Sequence, residues 1–360
     1  MSGKGLEPWQ VKESDFPGRG NTQDRLRFLL RYAILAPSGH NSQPWVFRIQ
    51  DDAIELAADV RRDLPVVDPN RRELVISCGA ALGFLRIAAH RFGYHAKVVP
   101  FPDSPTLDLP RQTPGSRGWG SGAALARVSF RQGVLPSSDD QALFKATTLR
   151  RTNRMPYDER LLPPSLLQGL AQAASAEGAW LQFVPKGERR DRIAEMVEQG
   201  SRALAGDPKF RRELAAWIRS NWSGKRDGMP GYAFGAGMPR SFAMPFLIRT
   251  FDWGKTQGTA AMDLALAAPE LAVLGTPSDT PQDWLKTGQA LSQVLLRARA
   301  ADVSAHFLNQ PVQVPDLRAR LPDLLGRLSA GCPQLVFRMG FAREVRPTPR
   351  RRLDEVLAKE

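Results

Sequence analysis

The strongest constraint on this chain is that its central helical pattern occurs twice. "GAALGFLRIAA" (Gly79–Ala89) and "GQALSQVLLRA" (Gly288–Ala298) both read Gly-x-Ala-Leu, with an aliphatic residue three positions on and a final Ala. Leu82, Leu85, Ala89 and Phe92 in one copy, and Leu291, Val294, Leu295 and Ala298 in the other, keep helical spacing along one apolar face. Each pattern predicts a buried central helix, and the same order of elements recurs around it. Downstream, "VSFRQG" (Val128–Gly133) parallels "LVFRMG" (Leu335–Gly340); upstream, "IELAAD" parallels "ELAVLG", and all four read as strands. Earlier still, "RLRFLLRYAILA" and "SLLQGLAQAA" are amphipathic helices that lead to a Trp and a strand, "WVFRI" and "WLQFV". Ser165 followed by Gln168 fits a capping box at the start of the second of these helices.

A chain of 360 residues accommodates two domains, or one large fold of two similar halves. The repeat divides it into residues 20–145 and 146–360. With 42% hydrophobic and 24% charged residues the composition is that of a globular protein. No apolar run approaches the roughly 20 residues of a membrane helix, and the polar, turn-rich N-terminus lacks the apolar core of a secretory leader. These features predict a cytoplasmic protein without a membrane partner. Two distant cysteines and four histidines without paired spacing predict neither a disulfide framework nor a metal site. The net charge of +13 raises the question of nucleic acid. The bases are spread along the chain, however, and the densest cluster, "RPTPRRRL" (Arg346–Leu353), suits one small anion equally well. No nucleic acid is expected as a partner.

The two copies differ where they carry polar chemistry. Between helix and Trp the first half has "APSGHNSQPW" (Ala36–Trp45), whereas the second has only "SAEGA". Conversely, "LRRTNRMPYDE" (Leu149–Glu159) opens the second half, while the matching "DFPGRGNTQD" has a single arginine. In an extended segment Arg150, Thr152 and Arg154 project to one side, a cradle for a phosphate. One half keeps the cradle and the other the polar loop, as halves of a composite site would.

The loop "PSGHNSQPW", the motif "RRTNR" and the terminal "PRRRL" resemble the FMN-binding nitroreductase fold, and the fused arrangement resembles its Acg-type subgroup of single-chain pseudo-dimers with one FMN site under a lid. The resemblance runs from about residue 20 to the end. It implies an α+β fold of two interlocked halves, central helices packed on mostly antiparallel sheets, and a fusion that removes the usual need for dimerisation, with a monomer compatible and the oligomeric state open. It also implies that Arg150, Thr152 and Arg154 hold the FMN phosphate, joined by Arg350 and Arg352. Pro37, Ser38, Gly39, Asn41 and Gln43 meet the isoalloxazine or ribityl chain, with His40 at a variable position of the motif. Asn309 and Gln310 fall where the family often has a Glu-Gly pair beside flavin N5. The implied activity is hydride transfer from NADH or NADPH through FMN to a small electron-poor acceptor, nitroaromatic or quinone-like. The alternative is an FMN-binding or storage protein with little turnover.

Residues of about 200 to 262 lengthen the second half. "DPKFRRELAAWIRSN" predicts a helix with Phe210, Leu214, Trp217 and Ile218 on one face. The following "WSGKRDGMPGYAFGAGMPRSFAMPF" reads as too irregular for helix or strand. It is expected to be a lid, with Trp222, Tyr232 and Phe242 restricting access, or a clamp between the halves. "DPNRREL" (Asp68–Leu74) is read as a helix entry with Asp68 as its cap.

Overall fold

The computed structural model describes residues 5–103, 123–326 and 331–358. The first half opens with helix α1 (Thr22–Ala33), capped by the Asn21 side chain. Strands β1 (Trp45–Gln50) and β2 (Ala53–Ala58) form a hairpin through a two-residue turn in which Asp51 is left-handed at φ 54°. Helix α2 (Arg72–Arg91) and strands β3 (Tyr94–Pro100) and β4 (Ala126–Gln132) complete an antiparallel sheet of order β1-β2-β4-β3.

Helix α3 (Ser138–Leu149) follows, started by a capping box of Ser137 and Asp140; the expected division at 145/146 falls inside this continuous helix. The second half runs through helix α4 (Pro164–Ala176), strand β5 (Trp180–Val184), helices α5 (Glu188–Gly206) and α6 (Pro208–Trp217), and the paired two-residue strands β6 (Ile218–Arg219) and β7 (Met229–Pro230). Helices α7 (Met238–Thr250) and α8 (Gly254–Ala267) lead to strand β8 (Glu270–Thr276) and helix α9 (Pro281–Ala300). Strand β9 (Val303–Phe307), short helix α10 (Gln310–Gln313), helix α11 (Pro315–Leu324) and strand β10 (Cys332–Phe341) end the regular structure. The second sheet has the order β5-β8-β10-β9, the order of the first with each strand replaced by its repeat counterpart.

The two central helices cross at their repeated glycines. A methyl group at Gly79 would overlap the Leu285 carbonyl oxygen and lie 3.1 Å from Gly288 Cα; one at Gly288 would overlap the Ile76 carbonyl. The pattern Gly-x-Ala-Leu thus marks closest backbone approach as well as helix. Ser292 Oγ seals the crossing by donating to the Ala80 carbonyl at 2.9 Å. α2 is long and apolar enough by length and composition to cross a membrane, contrary to the expectation that no such run exists, yet 89% of its most apolar stretch is buried inside the protein. It is the core helix of the first half, packed among Leu29, Phe47 and Leu285.

Each half has its own core, and the halves exchange residues. The first core takes in Leu285, Leu296 and Val356; the core between α4, α9 and the second sheet takes in Ile76. Beyond β10 the chain returns across the molecule. Phe47 N donates to Val356 O and Ala358 N to Phe47 O, both at 2.8 Å, so the C-terminal segment lengthens the first sheet at its β1 edge.

Three local expectations need correction. α4 starts on Pro163–Pro164 with no side-chain cap, so Ser165 and Gln168 make no capping box; proline at the first helical turn supplies the start. The stretch after Trp222 is not wholly irregular, because Met238–Thr250 is a helix despite Pro245. The extra chain does not begin and end at 200 and 262, which fall inside α5 and α8; it is the whole β5–β8 connection, residues 185–269, where the first half has a two-residue turn. α5 and α8 are core helices: Ile193, Val197, Ala261 and Ala265 pack with Leu271, Val273 and Val336 on the second face of the sheet. That cover explains why β10 is buried throughout its middle while β4 alternates buried and exposed. Asp68 does accept from Leu74 N at 2.9 Å in the first turn of α2, but the N-cap position itself is Arg71, left-handed at φ 58° and without a side-chain cap.

Candidate functional site: a carboxylate-free arginine cluster between the halves

α3 stops because Arg150 turns extended (φ −64°, ψ 131°), and the chain then runs parallel to the edge strand β9. Thr152 lies opposite Ala305, and Asn153 N donates to Ala305 O at 3.0 Å. This gives the extended geometry that the alternation of Arg150, Thr152 and Arg154 requires. Arg150 is only 4% exposed. Its one side-chain contact is a long one, Nη1 to Thr152 Oγ1 at 3.5 Å, and its Nε is buried without an acceptor among the described residues. Burial, with the charge of Arg151, pushes its pKa down to about 9. Arg154 is lowered to about 10, again by burial, and among the described residues its side chain meets Met229 Sδ at 3.4 Å and the Phe234 ring at 4.8 Å.

Arg350 enters from the C-terminal segment and is 2% exposed. Its Nη1 donates to Asn41 Oδ1 at 2.7 Å and Thr348 Oγ1 at 2.8 Å; its Nη2 reaches the Leu35 and Ala36 carbonyls at 3.3 and 3.2 Å. Its Nε is a buried orphan too. Burial holds this guanidinium well below its ordinary pKa, and the charges of Arg150 and Arg151 depress it further. Among the described residues none of Arg150, Arg154 and Arg350 has a carboxylate partner. Leaving a guanidinium buried and unpaired is unfavourable by several kcal/mol in general. Arg150 and Arg154 therefore keep donors that fit an anion with several oxygens, whereas Arg350 has only its Nε unspent.

Trp9, from the N-terminal turn that the sequence reading passed over, organises this end. Its ring lies 4.0 Å from the Arg151 guanidinium and 4.7 Å from that of Arg350, and its Nε1 donates to Thr348 O at 2.8 Å.

The polar loop meets the cluster from the first half. His40, Asn41 and Gln43 all have positive φ, at 49°, 55° and 53°. Such backbone persists only where the surroundings over-determine it. Asn41 Nδ2 donates to Gly228 O (2.8 Å) and Pro349 O (3.0 Å); Gln43 Nε2 donates to Arg226 O (2.8 Å), and Gln43 Oε1 accepts from Arg351 N (2.8 Å). Both amides are thus spent on tying the insertion and the C-terminal segment to the loop. Among the described residues Ser38, Gly39 and His40 make no such tie: Ser38 Oγ accepts from Gln43 N at 2.9 Å, and Gly39 N donates to Ser77 Oγ at 3.3 Å. His40 Nε2 is buried without a partner among the described residues.

The remaining expected positions have these surroundings. Arg352 is not brought into the cluster: its side chain is 53% exposed and pairs with Asp354 at 3.0 Å, because Arg352 is the N-cap of the 3-10 turn Leu353–Glu355, where the extended run ends. Its buried neighbour Arg351 spends itself on Gln43 O at 3.1 Å. Asn309 Oδ1 accepts from Val336 N at 3.1 Å, and Gln310 Oε1 is a buried orphan. Trp222 and Phe242 stack edge to face at the outer surface, 64% and 59% exposed, so Met229 and Phe234 are the insertion residues that meet an arginine of the site. Sequence reasoning also missed Glu73, on the first turn of α2, whose buried carboxyl is pushed up to about 7 by desolvation while it accepts from Gln313 Nε2 at 3.1 Å.

Burial, then the charge of Arg154, lowers His40 from 6.5 to about 4. Between those values the unfolded chain binds a proton that the folded one does not, so His40 stabilises the fold above pH 6.5 and that contribution is lost as pH falls toward 4. The full difference is roughly 3 kcal/mol. Glu73 acts in the opposite sense over the same range, so the comparison is with His40→Asn, which tolerates positive φ. Urea unfolding at pH 7 and pH 4.5 should show the wild type losing more stability than the variant; parallel losses would contradict a buried neutral His40.

No family model matches the chain. The Mycobacterium tuberculosis protein named "Putative NAD(P)H nitroreductase Rv3131" is 31% identical over 340 residues, covering 93% of this chain and 91% of that protein. The same organism's "Putative NAD(P)H nitroreductase acg" is 27% identical over 93% of this chain and 96% of its own length. A solved structure, the FMN-dependent nitroreductase NfnB from Mycobacterium smegmatis in complex with NADPH, aligns at TM-score 0.39 and 16% identity over 60% of this chain and 96% of its own. The near end-to-end match with Rv3131 places the chain in a family: it belongs to the NAD(P)H nitroreductases.

Proposed function

We propose that this chain is an FMN-dependent oxidoreductase that draws hydride from NADH or NADPH and reduces a small electron-poor acceptor, nitroaromatic or quinone-like. The observation that carries the reading is the arginine cluster without carboxylates, built from both halves, in which Arg150 and Arg350 are buried with orphaned Nε groups. Arg150, Thr152 and Arg154 would hold the FMN phosphate, with Arg350 opposite them. Pro37, Ser38, Gly39 and His40 would face the ring system or the ribityl chain, and Asn41 and Gln43 would keep that loop in place. When bound, FMN supplies the redox chemistry, and the protein supplies position and field. His40, neutral at pH 7, can offer a hydrogen bond without adding to the positive charge. The names of the relatives support nicotinamide as the reductant. Because each motif occurs once, a single chain would bind one FMN without a second subunit.

A second reading, FMN storage with little turnover, is favoured by the insertion. Met229 and Phe234 lie against Arg154, and Gly228 and Arg226 are tied to the polar loop. Anaerobic mixing of the FMN-loaded protein with NADH or NADPH separates the two. Bleaching of the flavin absorbance within seconds is the expected result; a flavin still oxidised after hours would remove the oxidoreductase and leave storage. A protein that takes up no added FMN would remove both.

A further inference from the structure

Across the wall from the arginine cluster lies a second cationic recess that the site described above does not use. It is lined by Arg219, Lys225 and Arg346, with Ser220, Ser223 and Tyr232 among its other walls. The β6–β7 insertion supplies one side and the segment after β10 the other. We infer that this recess is a binding site for a phosphate monoester, and that, on the oxidoreductase reading, its occupant is the 2′-phosphate of NADPH, which NADH lacks.

The charge balance points to an anion. The nearby carboxylate, Asp227, is consumed between Arg219 at 2.9 Å and Arg62 at 2.9 Å, and these two hydrogen bonds help hold it ionised, below its ordinary pKa. Arg219 is thereby fixed as a rigid positive wall, 11% exposed in its side chain. Lys225 and Arg346 stay free of carboxylate partners among the described residues. Arg346 is held over the Tyr232 ring at 4.6 Å, a contact that aims a guanidinium without neutralising it.

The backbone around these cations is built rather than loose. Asn221 accepts from Tyr232 N at 2.7 Å and donates to Ala236 O at 2.9 Å; Tyr232 Oη donates to Pro347 O at 2.8 Å. These bonds clamp the insertion to the C-terminal segment at the recess. The recess is small and open to solvent, so an anion meets these cations at its mouth while the base and sugar of a larger molecule stay outside. That selects for a terminal phosphate on a larger molecule, or for free phosphate. Pro349, the chain neighbour of Arg350, also lines the recess, which puts it beside the arginine cluster.

The test uses the FMN-loaded full chain and the double variant Lys225→Gln/Arg346→Gln; Lys225 and Arg346 are both surface residues, so retained flavin reports an intact fold. Binding of adenosine 2′,5′-bisphosphate, of 5′-AMP and of inorganic phosphate is measured by calorimetry, and flavin bleaching by NADPH and NADH by stopped flow. The expected result is that the bisphosphate binds better than 5′-AMP and loses about tenfold or more in the variant. NADPH should saturate at lower concentration than NADH in the wild type, with the two converging in the variant. Inorganic phosphate that binds as well as the bisphosphate, with the same loss, assigns the recess to free phosphate. Bisphosphate affinity that is absent, or unmoved by the variant, overturns the site while leaving NAD(P)H oxidation untouched. Variant-sensitive bisphosphate binding without bleaching by either nucleotide keeps the site and overturns the oxidoreductase reading.

Discussion

Replacing Arg150 with Met should move two measurements in opposite directions. Thermal stability of the flavin-free protein should rise, by about 1–3 kcal/mol, because the variant keeps the volume of the side-chain stem and removes a buried charge that no carboxylate offsets. Affinity for FMN should fall by about 1.5–3 kcal/mol, the range for a hydrogen bond to a charged group. Arg190 provides the contrast. It is as deeply buried, at 2% exposed, but its guanidinium donates to the carbonyls of Val184 (2.9 Å), Ala268 (2.7 Å) and Pro269 (3.3 Å). Arg190→Met should therefore only destabilise, leaving those carbonyls unpaired. Calorimetric unfolding of both flavin-free variants, with FMN titration of each, makes the distinction. If Arg150→Met loses stability like Arg190→Met and binds FMN as the wild type does, Arg150 is a structural arginine and the anion site is misplaced.

The fold was legible because its repeat fixes strand order as well as helix position. "IELAAD" and "ELAVLG" became β2 and β8, and "VSFRQG" and "LVFRMG" became β4 and β10, each in the same place in its sheet. The boundaries of the insertion were less legible. α5 and α8 have apolar stripes like any other helix, and nothing in their spacing says that they cover the second face of a sheet, whereas β4 of the first sheet alternates buried and exposed residues. The candidate site was legible in part. Alternation along "RRTNR" correctly put Arg150, Thr152 and Arg154 in one extended segment. Alternation does not hold along "PRRRL": Arg350 and Arg351 are both buried, and Arg352 faces solvent where a 3-10 turn begins. Trp9 could not be placed from local pattern, since its partners Arg151, Thr348 and Arg350 are far away in sequence. The division of labour in the polar loop was hidden for the same reason. Asn41 and Gln43 look like ligand contacts until the Gly228 and Pro349 carbonyls and the Arg351 amide are seen to occupy them.

That division of labour predicts a large effect at Asn41. Asn41→Ala removes an acceptor for the Arg350 guanidinium at 2.7 Å and two donors, to Gly228 O at 2.8 Å and Pro349 O at 3.0 Å. A charged hydrogen bond and two neutral ones together correspond to about 3–5 kcal/mol when their partners stay buried. Alanine is also disfavoured at φ 55° by about 1 kcal/mol, a penalty glycine would relieve. Asn41→Gly should thus recover only that last part, which separates the backbone from the side-chain contribution. The loss should be local before it is global, since Asn41 joins three segments, the polar loop, the insertion near Gly228 and the C-terminal segment at Pro349, which Gln43 and Tyr232 also tie together. Limited proteolysis should cut the Asn41→Ala variant near residues 224–228 under conditions where the wild type resists, and urea unfolding should give the stability change. FMN affinity should fall as well, although Asn41 touches no ligand in this scheme, because Arg350 loses the contact that aims it. Unaltered proteolysis with a stability loss under about 1 kcal/mol would mean that the insertion is held by something other than this amide.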